Sequence, residues 1–476
     1  MSASAGNSVK AKGTENADFR DRIATVDGRG KRQWIYALQP KGSFYNYRTA
    51  LSYVYFLLFF SLPFMSIKGR PLFLFNIPEA KFILFGTVFW PQDFFIFGMV
   101  MICFIFFIIL FTAAFGRLFC GWMCPQTIFM EMLFRKVEYW IMGSANEQRL
   151  LKNAPFSGKK AFKVIAKHAC FFLLSFLIAN CFLAYIIGVK ELQKIIYEPI
   201  DQHLAGFSAI LIFTGAFYGV YAFFREQVCT AVCPYGRLQG VLIDKNTMSV
   251  AYDYRRGEPR GNFKKQVAAD KGDCVDCFQC VRVCPTGIDI RNGNQMECVG
   301  CTACIDACDA VMDKIGKAHG LIRYASENAI SENAPLKYTG RMKLYSFLCG
   351  LVLLLLGVLL YTRKDIDATV IRTPGILFQE RGTDSVSNLY SLKMVNKTLK
   401  QIPVTVRLEG VNGVVQVVGK QQISAAAEGQ GSGTFFIVLP KTAVNKRKMD
   451  ISIGFYEGEK RIATAVTTFA GPVNVN

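Results

Sequence analysis

Eight of the sixteen cysteines in this 476-residue chain lie within one stretch of 35 residues, from Cys274 to Cys308. They form two copies of the pattern CxxCxxCxxxC, and proline follows the first copy. This is the bacterial ferredoxin spacing, in which three thiolates of one copy bind one [4Fe–4S] cube and the fourth binds the other. The spacing therefore predicts one cluster on Cys274, Cys277, Cys280 and Cys308, and a second on Cys298, Cys301, Cys304 and Cys284.

Zinc sites and disulfide bonds are the other common uses of closely spaced cysteines. Zinc sites take two separated CxxC pairs, whereas two consecutive CxxCxxC triplets leave an unmatched thiol. Disulfide bonds form in oxidising compartments, and the charge distribution described below predicts that this segment is cytoplasmic. Both alternatives are therefore weaker than a pair of iron–sulfur clusters.

A second cysteine pattern, CxxxCP, occurs twice outside that stretch, at Cys120 and Cys124 and again at Cys229 and Cys233. The surrounding sequences, AFGRLFCGWMCPQ and AFFREQVCTAVCPYG, resemble each other and indicate an internal repeat. Cysteines four residues apart lie on one face of a helix, and the proline is expected to end or kink that helix. Four such thiols brought together could hold Cu(I), zinc or an iron–sulfur cluster, or act as redox dithiols, and the sequence leaves these options open.

The remaining cysteines and the histidines are isolated in the sequence. Four single cysteines lie in or beside apolar segments, where we expect them to pack as small hydrophobic residues: Cys103, Cys170, Cys181 and Cys349. Met99, Met101 and Cys103 are spaced two apart and cannot share one helical face, so packing is also the expected role of this run. Only three histidines occur, and His168 and His203 are predicted at opposite membrane ends, which argues against a bis-histidine haem.

The apolar composition predicts a membrane protein. Hydrophobic residues make up 52% of the chain, including 41 Phe, and they collect in segments without charge. About 20 apolar residues span the hydrocarbon of a bilayer, a length that residues 94–116, 169–189 and 204–224 reach. Residues 51–67 and 344–361 are shorter but have the same character. We therefore predict five transmembrane helices.

The net charge of +20 is distributed as in a membrane protein. Lys and Arg concentrate in residues 1–48, 117–167 and 225–343, whereas the connections near 68–93 and 190–203 carry few. By the positive-inside rule, the N-terminus is cytoplasmic and the C-terminus, after five crossings, lies outside. Anionic lipid beside a basic face explains the charge, so no nucleic-acid partner is expected.

Three segments between these parts carry further predictions. Residues 1–46 are polar and charged and are expected to form a mobile cytoplasmic tail. Residues 71–93 combine alternating apolar residues with prolines, which predicts an external hairpin resting on the membrane. The stretch IFMEMLFRKVEYWIM, which follows the first CxxxCP, suits an amphipathic helix lying on the inner membrane surface.

The C-terminal part has a different character. Seven β-rich stretches separated by turn residues follow residue 365, which predicts an immunoglobulin-like sandwich without cysteine or histidine. The predicted fold class is a multi-domain membrane protein with five α-helical spans, a cytoplasmic two-cluster α+β ferredoxin domain and a periplasmic β-sandwich. Its expected divisions are a tail over 1–46, helices 1–4 over 47–240, the ferredoxin domain and linkers over 241–342, helix 5 over 343–362 and the β-domain over 363–476.

The stretch from Cys274 to Tyr324 closely resembles the FixG/CcoG/RdxA family of cytochrome oxidase accessory proteins. The segment LFGTVFWPQDF, both CxxxCP motifs, the helix layout and the C-terminal β-domain also match, so the resemblance covers nearly the whole chain from about residue 35. The ferredoxin pattern of the family falls on the eight cysteines already assigned.

The resemblance implies an iron–sulfur protein of the bacterial inner membrane that reduces Cu(II) to Cu(I) for assembly of a haem–copper (cbb-type) cytochrome c oxidase. It implies two [4Fe–4S] clusters, copper ions as substrate, copper-handling and oxidase assembly factors as partners, and a cytoplasmic electron donor. Cys120, Cys124, Cys229 and Cys233 would then be the copper-handling or electron-exit thiols, with copper or a further metal centre bound there.

Two other functions are compatible with the same residues. Related membrane ferredoxins of nitrate and nitrous-oxide reduction carry the same CxxxCP pairs and pass electrons between quinol and periplasmic reductases. A non-redox assembly scaffold acting through the external β-domain is the third hypothesis. Copper-dependent oxidation of the clusters, quinol-dependent reduction, and oxidase assembly without the ferredoxin cysteines distinguish the three.

Overall fold

The structure is a computed structural model that describes residues 25–26, 31–67, 69–77, 81–90, 93–261, 271–332, 338–375, 377–398, 400–419, 423–427, 429–444 and 446–472. The chain divides into two compact units. Residues 1–86 and 97–355 form the first unit, which carries all the cysteines, and residues 87–96 and 356–476 form the second.

Helices dominate the first unit, and five of them overlap the predicted apolar segments. They are α1 (Ser43–Ser61), α2 (Phe94–Phe115), α3 (Leu118–Trp122), α4 (Pro125–Ile128), α5 (Arg135–Met142), α6 (Ala145–Asn153), α7 (Gly158–Ile187), α8 (Val189–Tyr197), α9 (Leu204–Gly219), α10 (Pro234–Leu242), α11 (Tyr254–Gly257), α12 (Gln279–Arg282), α13 (Ala303–Ile315), α14 (Glu327–Ser331) and α15 (Gly340–Tyr361). Single π-helical turns span Phe129–Phe134, Val220–Phe224 and Val228–Val232.

Four described helical segments are long and apolar enough to cross a bilayer: Phe95–Phe115, Gly158–Ile187, Leu204–Phe224 and Gly340–Tyr361. The first span, predicted over residues 51–67, corresponds to α1, which runs from Ser43 to Ser61 and buries Arg48. A fifth crossing by α1 remains a prediction. Phe134 of the first π-turn stacks on Tyr221 of the second, with ring centroids 4.3 Å apart, and meets Phe171 of α7 edge-on at 5.0 Å.

The hairpin predicted after the first helix is present. Strands β1 (Ser66–Ile67) and β2 (Arg70–Pro71) pair antiparallel, as do β3 (Phe73–Asn76) and β4 (Lys81–Leu84). The side of the membrane on which this hairpin lies remains a prediction.

The segment that precedes α1 is packed where the structure describes it. Residues 1–24 and 27–30 of the predicted tail lie outside the described residues. Residues 33–42 are irregular, and the Leu38 amide donates to the Arg282 carbonyl at 2.8 Å. The Tyr139 hydroxyl donates to the Ala37 carbonyl at 2.9 Å, and Ala37 is buried. This segment therefore links helix α5 to the cysteine-rich region.

The prediction of an amphipathic helix on the membrane surface is wrong in one respect, because two of the charged residues of this helix are buried. Arg135 and Glu138 are 2% and 3% exposed. Glu138 pairs with Lys167 at 2.8 Å and with Arg225 at 2.9 Å. Charges are buried in proteins when they are paired, and these pairs connect α5 to α7 and to the end of the fourth apolar segment.

The cysteine-rich stretch lies between two short strands. Strand β6 (Ser249–Tyr252) pairs antiparallel with β7 (Ile322–Ala325), and α12 and α13 pack together between them in the sequence. The core here contains Val250, Ile288, Ile305 and Leu321 together with several of the cysteines. This is the compact α+β arrangement that the ferredoxin spacing predicts.

The second unit is a β-sandwich, as predicted. Strand β5 (Thr87–Phe89) comes first in the chain. One sheet has the strand order β13 (Val414–Val417), β15 (Gln430–Pro440), β10 (Ser385–Asn396), β8 (Ile366–Arg372), and β9 (Gln379–Arg381) also pairs with β10. The other has the order β12 (Thr405–Glu409), β16 (Lys448–Glu457), β17 (Lys460–Ala470), and β11 (Ile402–Pro403) pairs with β14 (Ser424–Ala425). Six of the seven predicted stretches fall in strands, whereas the first, VIRTPGILF (residues 370–378), is a strand only as far as Arg372. Inward residues such as Tyr390, Phe435 and Phe455 are fully buried.

Candidate iron–sulfur and thiol sites

The eight ferredoxin cysteines surround two small adjoining cavities. Cys274, Cys277, Cys280 and Cys308 line one cavity. Cys284, Cys298, Cys301 and Cys304 line the other, and Cys280 also reaches it. These are the two sets that the crossed ferredoxin pattern predicts. The remaining walls are mostly apolar and include Ile288, Val299 and Leu321.

The two groups differ in their access to solvent. Cys277 is exposed, whereas every other cysteine of the two groups is buried or half-buried. Burial raises the pKa of Cys298 to about 11, raises the pKa of Cys280, Cys301 and Cys308 to about 12, and raises the pKa of Cys304 well above its ordinary value. These thiols are therefore protonated at neutral pH until a metal centre displaces their protons.

A single metal ion does not match this arrangement. Within the described ranges, no three His, Cys, Asp or Glu side chains stand close enough together to hold one metal ion. A [4Fe–4S] cube keeps its four thiolates farther apart than one ion does, so the two cysteine-lined cavities fit clusters better than zinc ions.

A buried arginine that the sequence did not single out lies against the first cavity. Arg291 lines it and places its guanidinium 4.2 Å from the ring centroid of Phe278. Arg291 also donates to Asp289 at 2.7 Å and pairs with Asp276 at 2.5 Å. A positive charge at this position favours the reduced, more negative state of a cluster.

The two CxxxCP motifs have the same local geometry. Cys124 and Cys233 are the N-cap residues of α4 and α10, and the following proline takes the first helical position in both. The amide of Cys124 donates to the Phe119 carbonyl at 2.9 Å, and the amide of Cys233 donates to the Val228 carbonyl at 2.7 Å. The prediction that each cysteine pair shares one helical face is wrong, because the second cysteine of each pair is extended and the proline starts a new helix.

The two motifs lie close together in the first unit. The Cys120 thiol is 3.4 Å from the side-chain amide of Gln239 on α10, and the Cys229 thiol is 4.0 Å from the hydroxyl of Thr127 on α4. Burial, with a contribution from the neighbouring thiols, raises the pKa of Cys120 to about 11 and of Cys229 to about 12. Reactive dithiols have lowered rather than raised thiol pKa values, so Cys120 and Cys229 do not have the thiol pKa that is typical of a reactive dithiol. Among the described residues, no three metal-binding side chains at the CxxxCP motifs stand close enough together to hold one ion.

The CxxxCP motifs pack directly on the second group of ferredoxin cysteines. Cys120 and Cys229 contact the apolar cluster that contains Val299 and Cys301. Backbones approach closely here, since a Cβ atom on Gly121 would lie 2.4 Å from the Gly300 carbonyl oxygen. Only glycine allows this approach between the first CxxxCP and the loop from Cys298 to Cys301.

Buried polar side chains join the same two regions. Arg48 donates to the carbonyls of Gly121 at 3.0 Å and Cys301 at 3.1 Å. Arg117 donates to the carbonyls of Gly236 at 2.7 Å and Cys298 at 3.2 Å. Sequence reasoning missed the role of both arginines, because the carbonyls that they contact lie between 73 and 253 residues away along the chain.

The start of α1 is held by the ferredoxin region. Asp306 of α13 accepts hydrogen bonds from the amides of Phe44 and Tyr45, at 3.1 and 2.7 Å. A carboxylate at this place satisfies helix N-terminal amides and complements the helix dipole.

The other predicted residues lie away from these sites. Cys181 donates to the Phe59 carbonyl at 3.2 Å, and the Cys103 thiol hydrogen-bonds with Cys349. His168 bonds to the Tyr218 hydroxyl at 2.8 Å, whereas His203 and His319 pair with Glu198 and Asp313. Packing and surface roles remain the interpretation for these residues.

Three protein families match parts of the chain. Residues 224–327 match a family described as a 4Fe-4S dicluster domain, and residues 96–142 match a 4Fe-4S binding domain. Residues 356–472 match the IG-like fold at the C-terminus of FixG. The first two matches include both CxxxCP motifs and all eight ferredoxin cysteines.

Similar proteins extend over most of the chain. The nitrogen fixation protein FixG of Rhizobium meliloti is 31% identical over 433 residues, which is 82% of this chain and 82% of that protein. Protein RdxA of Cereibacter sphaeroides is 33% identical over 382 residues, covering 77% of this chain and 80% of RdxA. A crystal structure of a FixG-related protein from Vibrio parahaemolyticus is 23% identical and covers 23% of this chain and 97% of its own, with a TM-score of 0.20. The chain therefore belongs to the FixG/RdxA family, as a membrane iron–sulfur redox protein.

Proposed function

We propose that this protein is a cupric reductase that reduces Cu(II) to Cu(I) during assembly of a haem–copper oxidase. The single observation that carries the proposal is the packing of Cys120 and Cys229 against the Val299–Cys301 loop. It joins a set of soft metal-binding thiols to one group of ferredoxin cysteines within a single packed region. Membership of the FixG/RdxA family supports the link to oxidase assembly.

The ligands that we propose for the clusters are the two cysteine groups that line the two cavities. Cys274, Cys277, Cys280 and Cys308 would hold one [4Fe–4S] cluster, and Cys298, Cys301, Cys304 and Cys284 would hold the other. When bound, each cluster supplies one electron at a time. Exposed Cys277 makes the first group the side from which a cytoplasmic donor would reach the protein.

The CxxxCP thiols would receive the copper ion. Cu(II) gains one electron and becomes Cu(I), and thiolate ligation favours this product because soft sulfur ligands prefer Cu(I). A pair of thiolates is enough to hold Cu(I), and the raised pKa of Cys120 and Cys229 means that binding releases protons. The hydroxyl of Thr127 and the amide of Gln239 contact these two sulfur atoms and would orient them.

The proposed setting is the bacterial inner membrane. Positive-inside charge supports a cytoplasmic N-terminus and ferredoxin region and a periplasmic β-domain. In this arrangement the β-domain would face copper-handling and oxidase assembly factors, and the ferredoxin region would face the electron donor.

The test is an anaerobic reaction of the reduced protein with Cu(II) in the presence of a Cu(I)-specific chelator. Cluster absorbance and Cu(I) are followed together, and we expect about two Cu(I) per protein, one for each cluster electron. A variant with Cys120, Cys124, Cys229 and Cys233 changed to alanine should keep its iron and lose most of this reaction. The matched control changes the four other cysteines, Cys103, Cys170, Cys181 and Cys349, and should react normally.

Other outcomes would favour the alternative functions. If the intact protein forms no more Cu(I) than a cluster-free sample, copper reduction is excluded. Reduction of the clusters by a quinol would then favour an electron conduit to a periplasmic reductase. Normal oxidase assembly after loss of all eight ferredoxin cysteines would favour a scaffold.

A further inference from the structure

Two adjoining cavities lie beside the ferredoxin region, outside the cysteine sites. The first has a volume of about 350 Å³ and is bounded by α5, α6 and the start of α7. The second has a volume of about 300 Å³ and lies between α6 and the segment from Val281 to Gly287. Trp34 and Tyr36 line both cavities, so these two side chains separate two parts of one larger space. Each volume lies within the usual range for small-molecule sites, ~300–1,000 Å³.

The walls of this space are strongly cationic. Lys152, Lys160 and Lys167 line the first cavity, and Arg149 and Arg282 line the second. Glu138 is the one carboxylate among the described lining residues, and its charge is already shared by Lys167 and Arg225. Concave surfaces lined by one sign of charge concentrate counter-ions, so this space favours an anion.

Three of these cations have no carboxylate partner in the part of the chain that the structure describes: Arg149, Lys152 and Arg282. Arg149 lies over the ring of Tyr36, 6.0 Å from its centroid. Arginine and lysine together suit a phosphate group, which accepts several charge-assisted hydrogen bonds.

The rest of the lining suits an apolar or aromatic body. Met142, Leu151 and Val164 line the first cavity together with Trp34 and Tyr36. Trp34 is itself fixed by cations, with the guanidinium groups of Arg32 and Arg225 at 4.5 and 4.7 Å from its ring centroid. A phosphorylated molecule with a flat apolar body would meet both kinds of wall.

The space lies beside the segment that connects the two predicted cluster sites. Val281 and Arg282, in its wall, lie between Cys280 and Cys284, which belong to different predicted cluster sites. Ile35 packs on Gly287, where a Cβ atom would lie 2.7 Å from the Ile35 side chain, so the cavity segment and the ferredoxin loop are in direct contact. A redox-active body in this space would therefore lie next to the loop that connects the two clusters.

We infer that the space bounded by Trp34, Tyr36, Arg149, Lys152 and Arg282 binds a phosphorylated planar redox molecule of the flavin mononucleotide class, as the point of electron entry. The electron-entry role rests on the proposed function, whereas binding does not. The anionic hydroquinone of such a molecule gives up two electrons, one to each cluster, and one proton, which leaves to water through the open mouth of the cavity. The oxidised flavin is the product.

The experiment is a titration of flavin mononucleotide into the full-length protein in nanodiscs of zwitterionic lipid, followed by flavin fluorescence. We expect saturable binding of one flavin per chain. The double variant Arg149→Gln/Lys152→Gln should weaken binding by at least about tenfold, because two charge-assisted contacts are lost. The control Lys159→Gln/Lys163→Gln removes the same charge from nearby positions that do not line the cavity and should bind as the unaltered protein does.

A second variant keeps the proposal testable if the double variant is unstable. Val164→Trp fills the cavity without changing its charge and should also abolish binding, while iron content and thermal stability report on folding. No saturable binding, or equal binding by the double variant and its control, would overturn the proposal.

Two further arms distinguish other sources of phosphate. If inorganic phosphate binds as tightly as the flavin, the site does not recognise a planar body, and the proposal fails. If nanodiscs containing phosphatidylglycerol abolish flavin binding, the space is a lipid headgroup site, and the proposal fails. No copper is added in these experiments. A failure to bind flavin would therefore not contradict copper reduction, and a failure of copper reduction would not contradict flavin binding.

Discussion

At the scale of single residues, Gly121 and its neighbours determine how closely the CxxxCP cysteines approach the ferredoxin cysteines. Gly121 lies between Cys120 and Cys124, and its Cα faces the carbonyl of Gly300 in the loop from Cys298 to Cys301. Arg48 bonds to carbonyls on both sides of this contact. The contact is backbone against backbone, so a side chain cannot rotate away to relieve a clash.

We therefore predict that Gly121→Ala moves the first CxxxCP motif away from the loop from Cys298 to Cys301. The added Cβ atom would lie 2.4 Å from the Gly300 oxygen, so one of the backbones must move. We expect the variant to retain its iron and to form Cu(I) at least about tenfold more slowly. A misplacement of reacting groups by about 1 Å can lower a rate by more than this. Gly98→Ala, where a Cβ atom meets nothing within 4 Å, is the control. Equal rates of Cu(I) formation in the two variants would show that this contact does not affect electron transfer.

A second prediction at this scale concerns Arg291. Arg291→Gln removes a buried cation beside Cys274, Cys277, Cys280 and Cys308 and leaves Asp276 and Asp289 in place. Greater negative charge disfavours reduction, so we expect a lower reduction potential for one cluster and an unchanged potential for the other. A redox titration followed by electron paramagnetic resonance measures both potentials. A shift of both potentials by the same amount would contradict a local effect.

At the scale of elements, a buried network of charges determines how α5 packs. Glu138 of α5 lies between Lys167 of α7 and Arg225, which follows the fourth apolar segment. Burial alone would raise the pKa of Glu138, but Arg225 and Lys167 lower it to about 2. Arg135 of the same helix lies 3.2 Å from Glu131 and 3.7 Å from Glu226. The network holds this helix among its neighbours through buried ion pairs rather than on a lipid surface.

We predict that Glu138→Gln destabilises the protein by ~3–5 kcal/mol, because it removes the carboxylate that the buried cations Lys167 and Arg225 share. The measurement is thermal unfolding in detergent, with the exposed Glu147→Gln as a control for lost charge. Because the pKa of Glu138 is lowered on folding, its contribution is present above about pH 4.5 and is lost as the pH falls towards 2. The variant should show a weaker loss of stability over this range than the unaltered protein. An identical pH dependence would contradict this role.

At the scale of the whole molecule, the number of crossings determines on which side each part lies. Four helical segments are long and apolar enough to span a bilayer, and α1 is the predicted fifth. Five crossings place the two termini on opposite sides, whereas four place them on the same side. The charge distribution favours five, because the Lys- and Arg-rich segments all fall on one side in that arrangement.

We predict that alkaline phosphatase, which is active only outside the cytoplasm, is inactive when fused after residue 332 and active when fused after residue 68 or 472. Green fluorescent protein at the same positions should give the opposite pattern. An inactive fusion after residue 68 would place residue 68 in the cytoplasm and contradict a crossing by α1 from a cytoplasmic N-terminus.

The sequence by itself determined the parts of this protein that depend on local spacing. The two CxxCxxCxxxC copies predicted the cysteine groups, because the number of residues between thiols limits which of them can reach one cube. The positions of the apolar helices followed from apolar length, and most of the longer strands of the β-sandwich followed from alternation and turn residues. Each of these patterns involves residues that are close together in the sequence, so it does not depend on how distant parts of the chain pack.

Only the tertiary structure decided how these parts meet. The bond from Arg48 to Cys301 joins residues 253 positions apart, and the bond from Asp306 to Phe44 joins residues 262 apart. Periodicity placed Glu138 on the polar face of a surface helix, because a single helix does not reveal the cations that surround it. The cationic space around Trp34 and Tyr36 likewise forms from segments distant in the chain. Such contacts depend on which surfaces pack together, and no local pattern of residues records that.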